Sequence, residues 1–257
     1  MSAFNTLYHE DCRTALKKIA SESIDLVVTD PPYKIIAGGC TIKETKDECK
    51  GIFRRRVVSD GTACSNRWLK KSQYDIPSAV KTGKMFTHND IRFAEWIPDI
   101  YRVLKNGTHF YVMVNDRNVQ EMLNVCTENK FKLVNILTWI KQNAVPNKYY
   151  MKNVEFVLLF RKGSARNIND MGSKQSITIP NIIGNKLHPT EKPVALMEYF
   201  ILNSSQKDNV VLDPFMGSGS TGVACVNNDR RFIGIELDDT YYDMSCQRTK
   251  HKELVLF

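Results

Sequence analysis

Short apolar runs alternate along this chain with longer stretches whose apolar residues recur every three or four positions. The short runs predict seven strands, at Thr6 to Tyr8, Ile24 to Thr29, His109 to Val114, Leu133 to Ile140, Val154 to Phe160, Val210 to Leu212 and Phe232 to Ile235. The helical spacing falls at Cys12 to Ala20, Ile91 to Leu104, Arg117 to Glu128, Pro193 to Asn203, Gly219 to Asn227 and Asp239 to His251, and Lys105-Asn106-Gly107 supplies a stop for the second of these. Strands that alternate with helices imply an α/β fold with a mostly parallel, doubly wound sheet. No internal repeat or low-complexity linker interrupts the pattern.

The strand at Ile24 to Thr29 ends in Asp30-Pro31-Pro32-Tyr33. An acidic residue at the carboxyl end of a buried strand lies where open α/β sheets bind ligands. The two prolines remove two backbone donors and direct the chain into an extended turn whose carbonyls stay free to accept. Carboxylate, carbonyl and the ring of Tyr33 together suit a planar ligand with an exocyclic amine, a nucleobase above all. The bland reading is a strand-terminating turn. The tetrapeptide resembles the Asp-Pro-Pro-Tyr motif of the DNA amino-methyltransferases, which holds the target adenine or, less often, cytosine.

A second strand end carries a glycine loop. Asn209-Val210-Val211-Leu212 runs into Asp213-Pro214-Phe215-Met216-Gly217-Ser218-Gly219-Ser220-Thr221-Gly222, and a helix follows, so backbone N–H groups face the strand's end. The next strand closes on Glu236, an acidic residue about 20 positions beyond the glycines and placed for ribose hydroxyls; the alternative for Glu236 is a carboxylate at a helix N-terminus. The glycine spacing also occurs in dinucleotide folds. The whole run resembles the S-adenosylmethionine loop of the same methyltransferases, Asp-Pro-Phe-x-Gly-Ser-Gly-Thr-Thr, with Ser220 as a departure. By that resemblance Asp213, Pro214, Phe215, Gly217, Ser218, Gly219 and Glu236 bind the cofactor.

Two further segments extend the likeness. His188-Pro189-Thr190-Glu191-Lys192-Pro193 precedes an apolar helical stretch; Thr190 also reads as a helix cap with Pro193 in the first turn. The segment resembles the His-Pro-Thr-x-Lys-Pro run of the β group of these enzymes, which implies that His188, Thr190, Lys192 and Pro193 line the methionine end of S-adenosylmethionine, Lys192 on its carboxylate. Tyr8-His9-Glu10-Asp11-Cys12 resembles the family's Gly-Asp-Cys turn, which assigns Asp11 to the cofactor's adenine amine, although Glu10 replaces the glycine. The run from Trp139 to Arg161 resembles paired final strands whose aromatics and an asparagine, here Asn143, flank the target base; Trp139 equally suits the core.

The resemblance covers nearly the whole chain. It implies a seven-stranded class I methyltransferase sheet, Rossmann-like and circularly permuted, in one domain spanning residues 1–257 with a basic insertion after the catalytic strand. It also implies a reaction: methyl transfer from S-adenosylmethionine to N6 of a flipped adenine in double-stranded DNA, with Asp30, Pro31, Pro32 and Tyr33 as the catalytic set and no metal. The nearest alternative is N4-cytosine methylation, in which serine is commoner than aspartate at position 30. A non-catalytic DNA-binding subunit is the alternative from another class. Homodimers are common in the β group, and a partner restriction nuclease is left unassigned.

Composition and charge change this picture in one respect. With 257 residues and 42 % hydrophobic content the chain can bury one substantial core. The absence of a long apolar run or a leader pattern leads to an expectation of a cytoplasmic protein away from membranes. The seven cysteines are scattered and fit a reducing compartment, and Cys40, Cys49 and Cys64 lack the common zinc-ligand spacing. The net charge of +8 is unevenly spread: Lys34 to Asp90 holds twelve basic residues against six acidic, and Thr138 to Gln175 seven against two. Such concentration suits a polyanion. Arg54, Arg55, Arg56, Arg67, Lys70, Lys71 and Lys141 are therefore candidate DNA contacts, joined by Asn143 on the resemblance above, with residues 34–90 as the main recognition segment and 163–186 as a second. The alternative for the charge runs is a solvated surface.

Overall fold

The computed structural model describes residues 5–32, 91–145, 149–182 and 191–250. The chain divides into two compact units, one of Met1–Pro32, Arg92–Ala144 and Asn153–Phe257, the other of Tyr33–Ile91 and Val145–Lys152. In the second unit the described residues are 91, 145 and 149–152, among which Val145, Tyr149, Tyr150 and Met151 are exposed.

The first unit is built on one sheet. Its strands are β1 (Asn5–His9), β2 (Ile24–Thr29), β3 (Leu104–Val114), β4 (Lys132–Val145), β5 (Lys152–Arg161), β6 (Ser176–Thr178), β7 (Val210–Asp213) and β8 (Arg231–Glu236). The helices are α1 (Cys12–Lys18), α2 (Ile97–Val103), α3 (Val119–Glu128), α4 (Val194–Ser204), α5 (Ser220–Asn227) and α6 (Asp239–Lys250). Across the sheet the order is β1-β8-β7-β2-β3-β5-β4-β6. The five strands from β1 to β3 run parallel, and β5 is antiparallel to β3.

This is the expected α/β fold with one strand more than the seven predicted. The eighth, Ser176–Thr178, pairs parallel with β4 through Thr138 to Ile140. Three residues with a single buried apolar side chain, Ile177, carry too little periodicity to be read alone. Its place in the sheet is made by β4, not by its own sequence.

Strand β2 is buried along its whole length, as a run flanked by strands and covered on both faces must be. Its one charged residue, Asp25, is satisfied on both oxygens: Lys105 Nζ donates to one at 2.6 Å and the Val210 amide to the other at 3.0 Å. That second bond ties the start of β2 to the start of β7. On one face α4 packs Leu196, Met197, Phe200 and Ile201 into a core shared with Val28, Tyr111, Val211 and Met216.

The second predicted helix is divided and ends early. A 3₁₀ turn at Phe93–Glu95 precedes α2, and β3 begins at Leu104, directly after the helix. Lys105-Asn106-Gly107 then forms an irregularity inside β3: Ile24 pairs with Leu104, but Leu26 pairs with His109. Gly107 adopts φ +78°, a conformation that favours glycine. Buried Lys162 stabilises the corner by donating to the carbonyls of Tyr101 (2.8 Å) and Leu104 (2.6 Å).

Candidate active site

Strand order reverses between β7 and β2, so the sheet has its topological switch point there, where open α/β sheets form a ligand crevice. Four acidic residues stand at or just beyond the carboxyl ends of four adjacent strands: Asp11 after β1, Glu236 on β8, Asp213 on β7 and Asp30 after β2. The segments that the sequence places far apart, at 11, 30, 213 and 236, therefore lie along one edge of the sheet.

Asp213 is enclosed. Its Oδ1 accepts from the Thr29 hydroxyl at 2.8 Å and the Phe215 amide at 3.1 Å, and its Oδ2 from the Thr221 hydroxyl at 2.6 Å. Burial raises its pKa to about 6 in spite of the hydrogen bonds from Thr221, Thr29 and the Phe215 amide. The carboxylate thus fixes the glycine loop to the start of α5 and to the last residue of the strand that carries Asp30. Phe215 is braced edge-on by the fully buried Trp96, ring centroids 5.0 Å apart.

In the loop itself, Gly217 (φ +52°) and Gly219 (φ +89°) take left-handed conformations, and Gly219 is the N-cap of α5. A side chain added at Gly217 would meet nothing within 4 Å, so open space faces the main chain at this point. Glu236 borders it, accepting from the amides of Gly217 (2.7 Å), Leu237 (2.9 Å) and Asp238 (2.9 Å). Burial pushes the Glu236 carboxyl above its usual range against these bonds. Since a carboxylate has about four acceptor positions, a hydroxyl ligand still finds one here. Both predicted readings of Glu236 are compatible with this geometry, because it caps the turn before α6 and borders the loop. Arg248 of α6 holds Ser218 from behind, donating to its carbonyl (2.8 Å) and hydroxyl (3.0 Å), and pairs with Glu191 at 3.0 Å.

Asp11 is the N-cap of α1, accepting from the Arg13 amide at 2.8 Å and from its guanidinium at 2.7 and 2.9 Å. The hydrogen bond from the Arg13 side chain holds its carboxyl below the usual range. An open approach at Gly217, a pinned Glu236 and an acceptor at Asp11 fit a nucleoside-bearing cofactor.

Beyond β2, Pro31 is buried and Pro32 half-buried. Asp30 Oδ2 accepts from Lys192 Nζ, whose ammonium is also 3.5 Å from Glu155 Oε2; Glu155 Oε1 accepts from Lys141 Nζ. Lys192, expected on a cofactor carboxylate, and Lys141, expected on DNA, both stand in this network. The backbone of Lys192 is anchored to the glycine loop, its carbonyl accepting from the Ser220 hydroxyl at 2.8 Å. The residue that departs from the family pattern thus joins the two segments expected at the cofactor. Pro193, expected inside the first turn of a helix capped by Thr190, is itself the N-cap of α4 and no side chain caps it. Trp139 belongs to the core and donates to the Ile179 carbonyl at 2.8 Å, while Asn143 is exposed on β4.

Tyr33, Arg54, Arg55, Arg56, Arg67, Lys70, Lys71, His188 and Thr190 lie outside the described residues, as do Cys40, Cys49 and Cys64. Thr29, Glu155, Thr221 and Arg248 join the site without having been singled out. Thr29 had a signal, being a hydroxyl that closes an apolar strand directly before Asp30. Arg248 and Glu155 had none, since each reaches its partner only through the packing of distant elements.

Comparison with known proteins agrees with this arrangement. The family model described as DNA methylase, of the N6/N4 type, matches residues 24–247. The type II methyltransferase M2.MboI of Moraxella bovis is 28% identical over 260 residues, covering 94% of this chain and 86% of the relative. M.HinfI of Haemophilus influenzae is 27% identical, with 96% and 68% covered. Among solved structures, the M1.HpyAVI–SAM complex superposes with a TM-score of 0.64 at 24% identity, covering 95% of this chain and 98% of that one. The cytosine-N4-specific PvuII DNA methyltransferase gives 0.65 at 19% identity, covering 95% and 87%. With the family model matched from the catalytic strand to the last helix, the chain belongs to the S-adenosylmethionine-dependent N6/N4 DNA methylase family.

Proposed function

We propose that this DNA methylase modifies adenine at N6, within double-stranded DNA. The observation that carries the reading is the position of Asp30, one residue beyond Thr29, which is bonded to the cofactor-loop residue Asp213. An aromatic amine is a weak nucleophile because its lone pair is delocalised into the ring. Asp30 and the Pro31 carbonyl, as acceptors of the two amine hydrogens, favour a pyramidal nitrogen, and such acceptors act most strongly on the transition state. S-adenosylmethionine supplies the electrophilic methyl group. Asp213, Gly217 and Glu236 bind and orient that cofactor, with Asp11 at its adenine and the 188–193 segment at its methionine end.

A target amine inside a duplex is out of reach, so the base must leave the stack, at roughly a few kcal/mol for unstacking and unpairing. Tyr33 follows in the sequence and takes the stacking role by resemblance. The relatives' names as type II methyltransferases support a role within restriction and modification, and the charge excess of residues 34–90 supports duplex DNA as the partner. Homodimer formation is carried over from the β group.

The test is direct: incubate the protein with methyl-labelled S-adenosylmethionine and unmethylated genomic DNA, digest to nucleosides and separate them. Label in N6-methyl-2′-deoxyadenosine is the expected result. Label in N4-methyl-2′-deoxycytidine would transfer the same chemistry to the other base, and label in neither would refute the reading.

A further inference from the structure

Asp30 stands at one end of a chain of charges. Lys192 reaches it from the segment before α4, Glu155 stands on β5 and Lys141 on β4, while Asp213 is on the neighbouring strand β7. The Lys192 side chain is only 8% exposed and that of Glu155 19%. An ammonium so deeply placed is stable in its charged form only when carboxylates compensate its lost hydration. Burial acts against the Lys192 charge, yet Asp30 and Glu155 outweigh it and raise its pKa; burial likewise opposes the Glu155 charge, and Lys192 and Lys141 outweigh it.

The chemistry proposed for Asp30 depends on its ionisation. An ionised carboxylate only accepts hydrogen bonds, whereas a protonated one presents an O–H to a group that itself needs acceptors. Two carboxylates near one another in a half-buried site favour uptake of a proton by one of them unless a cation intervenes. Lys192 is that cation, and its own position is determined at both ends. Its carbonyl is fixed by Ser220 of the glycine loop, and its ammonium is drawn towards Glu155, which Lys141 holds in turn.

We propose that Lys192 and Glu155 are positioning residues for Asp30: the ammonium keeps the Asp30 carboxylate ionised and oriented, and Glu155 acts through Lys192 by setting where that ammonium lies. This inference rests on the methylation reading above. It gives Lys192 a partner other than the cofactor carboxylate and gives Glu155 an indirect part in transfer.

The experiment compares wild type with Glu155→Gln, Lys192→Met, Lys192→Arg and the Glu155→Gln/Lys192→Met double variant. Single-turnover methyl transfer to unmethylated genomic DNA and calorimetric affinity for S-adenosylmethionine are measured on each, with thermal melting as the check on folding. Expected are a loss of transfer rate of about tenfold for Glu155→Gln and about 100-fold for Lys192→Met, with Lys192→Arg within about tenfold of wild type. Cofactor affinity should stay within about threefold for Glu155→Gln. The double variant should be no slower than Lys192→Met alone, because a residue that acts only through another loses its effect when that other is gone. Multiplying losses, or an unchanged rate in Glu155→Gln, would overturn the proposal. So would Lys192→Met that weakens cofactor binding while saturated transfer stays at the wild-type rate, which would place the ammonium on the cofactor. Should Lys192→Met fail to fold, the near-isosteric Glu155→Gln still decides, and a wild type that methylates no DNA would refute the underlying reading instead.

Discussion

Asp30 and Asp213 are the same residue type at the ends of neighbouring strands, and their surroundings separate their roles. Asp30 is partly exposed and compensated by an ammonium; Asp213 is buried and accepts from neutral donors, the Thr29 and Thr221 hydroxyls and the Phe215 amide. Replacing Asp30 by Ala removes one of the two proposed acceptors, and methyl transfer should fall by ~100-fold or more while calorimetry finds cofactor affinity little changed. Transfer at the wild-type rate would reject the assignment. Asp213 has a pH signature instead. Its folded-state pKa, raised to about 6, exceeds the ordinary value of 3.8, so the folded protein binds this proton more tightly than the unfolded chain. The associated stability is complete below about pH 4 and is lost as pH rises through about 6, a difference on the order of 3 kcal/mol. Urea unfolding of wild type and Asp213→Asn between pH 4 and 7 should show this component in wild type only. Equal slopes would mean that the carboxyl is not desolvated.

At the scale of elements, the β2–β7 seam joins the strand that leads to Asp30 with the strand that leads into the glycine loop, and polar side chains fasten it at both ends. Asp25 binds the Val210 amide at one end, and Thr29 binds Asp213 at the other. Asp25→Ala leaves that amide without its acceptor and removes the partner of Lys105; chemical denaturation should show a loss of about 2–3 kcal/mol. Lys105→Met should cost less, because its side chain is 43% exposed. The glycine loop makes a different prediction. Gly217→Val places a branched side chain into the open space before the loop and forces it into φ +52°, so S-adenosylmethionine binding should be abolished in calorimetry. Normal cofactor affinity in a folded variant would show that the ligand does not approach there.

For the molecule as a whole, the basic charge is concentrated in one stretch of the sequence. Residues 34–90 carry twelve basic against six acidic side chains, more than half of the net excess in less than a quarter of the length. If that excess serves DNA phosphates, reversing Arg54, Arg55 and Arg56 together to Glu should weaken DNA binding and flatten its dependence on salt, with cofactor affinity unchanged. An unchanged salt slope would give the segment a structural role. Among the described residues, no helix is long and apolar enough to cross a membrane.

The acidic residues that close three of the strands are legible in the sequence alone. An acidic residue that closes an apolar run predicts a ligand edge because open α/β sheets bind ligands at the carboxyl ends of their strands, and Asp30, Asp213 and Glu236 are legible for this reason. The left-handed turns of the cofactor loop were legible as glycines. Tertiary structure decided what those ends face. The alternation of strands and helices does not order the strands, so only the folded sheet puts β7 beside β2 and Thr29 on Asp213. Pairing with β4 makes a strand of Ser176–Thr178, whose own pattern is too short to specify one. The network of Lys192, Glu155 and Lys141 was illegible for the same physical reason: an ion pair between residues far apart in the chain leaves no periodicity, and its partners meet only where packed elements bring their charges together and exclude water from them.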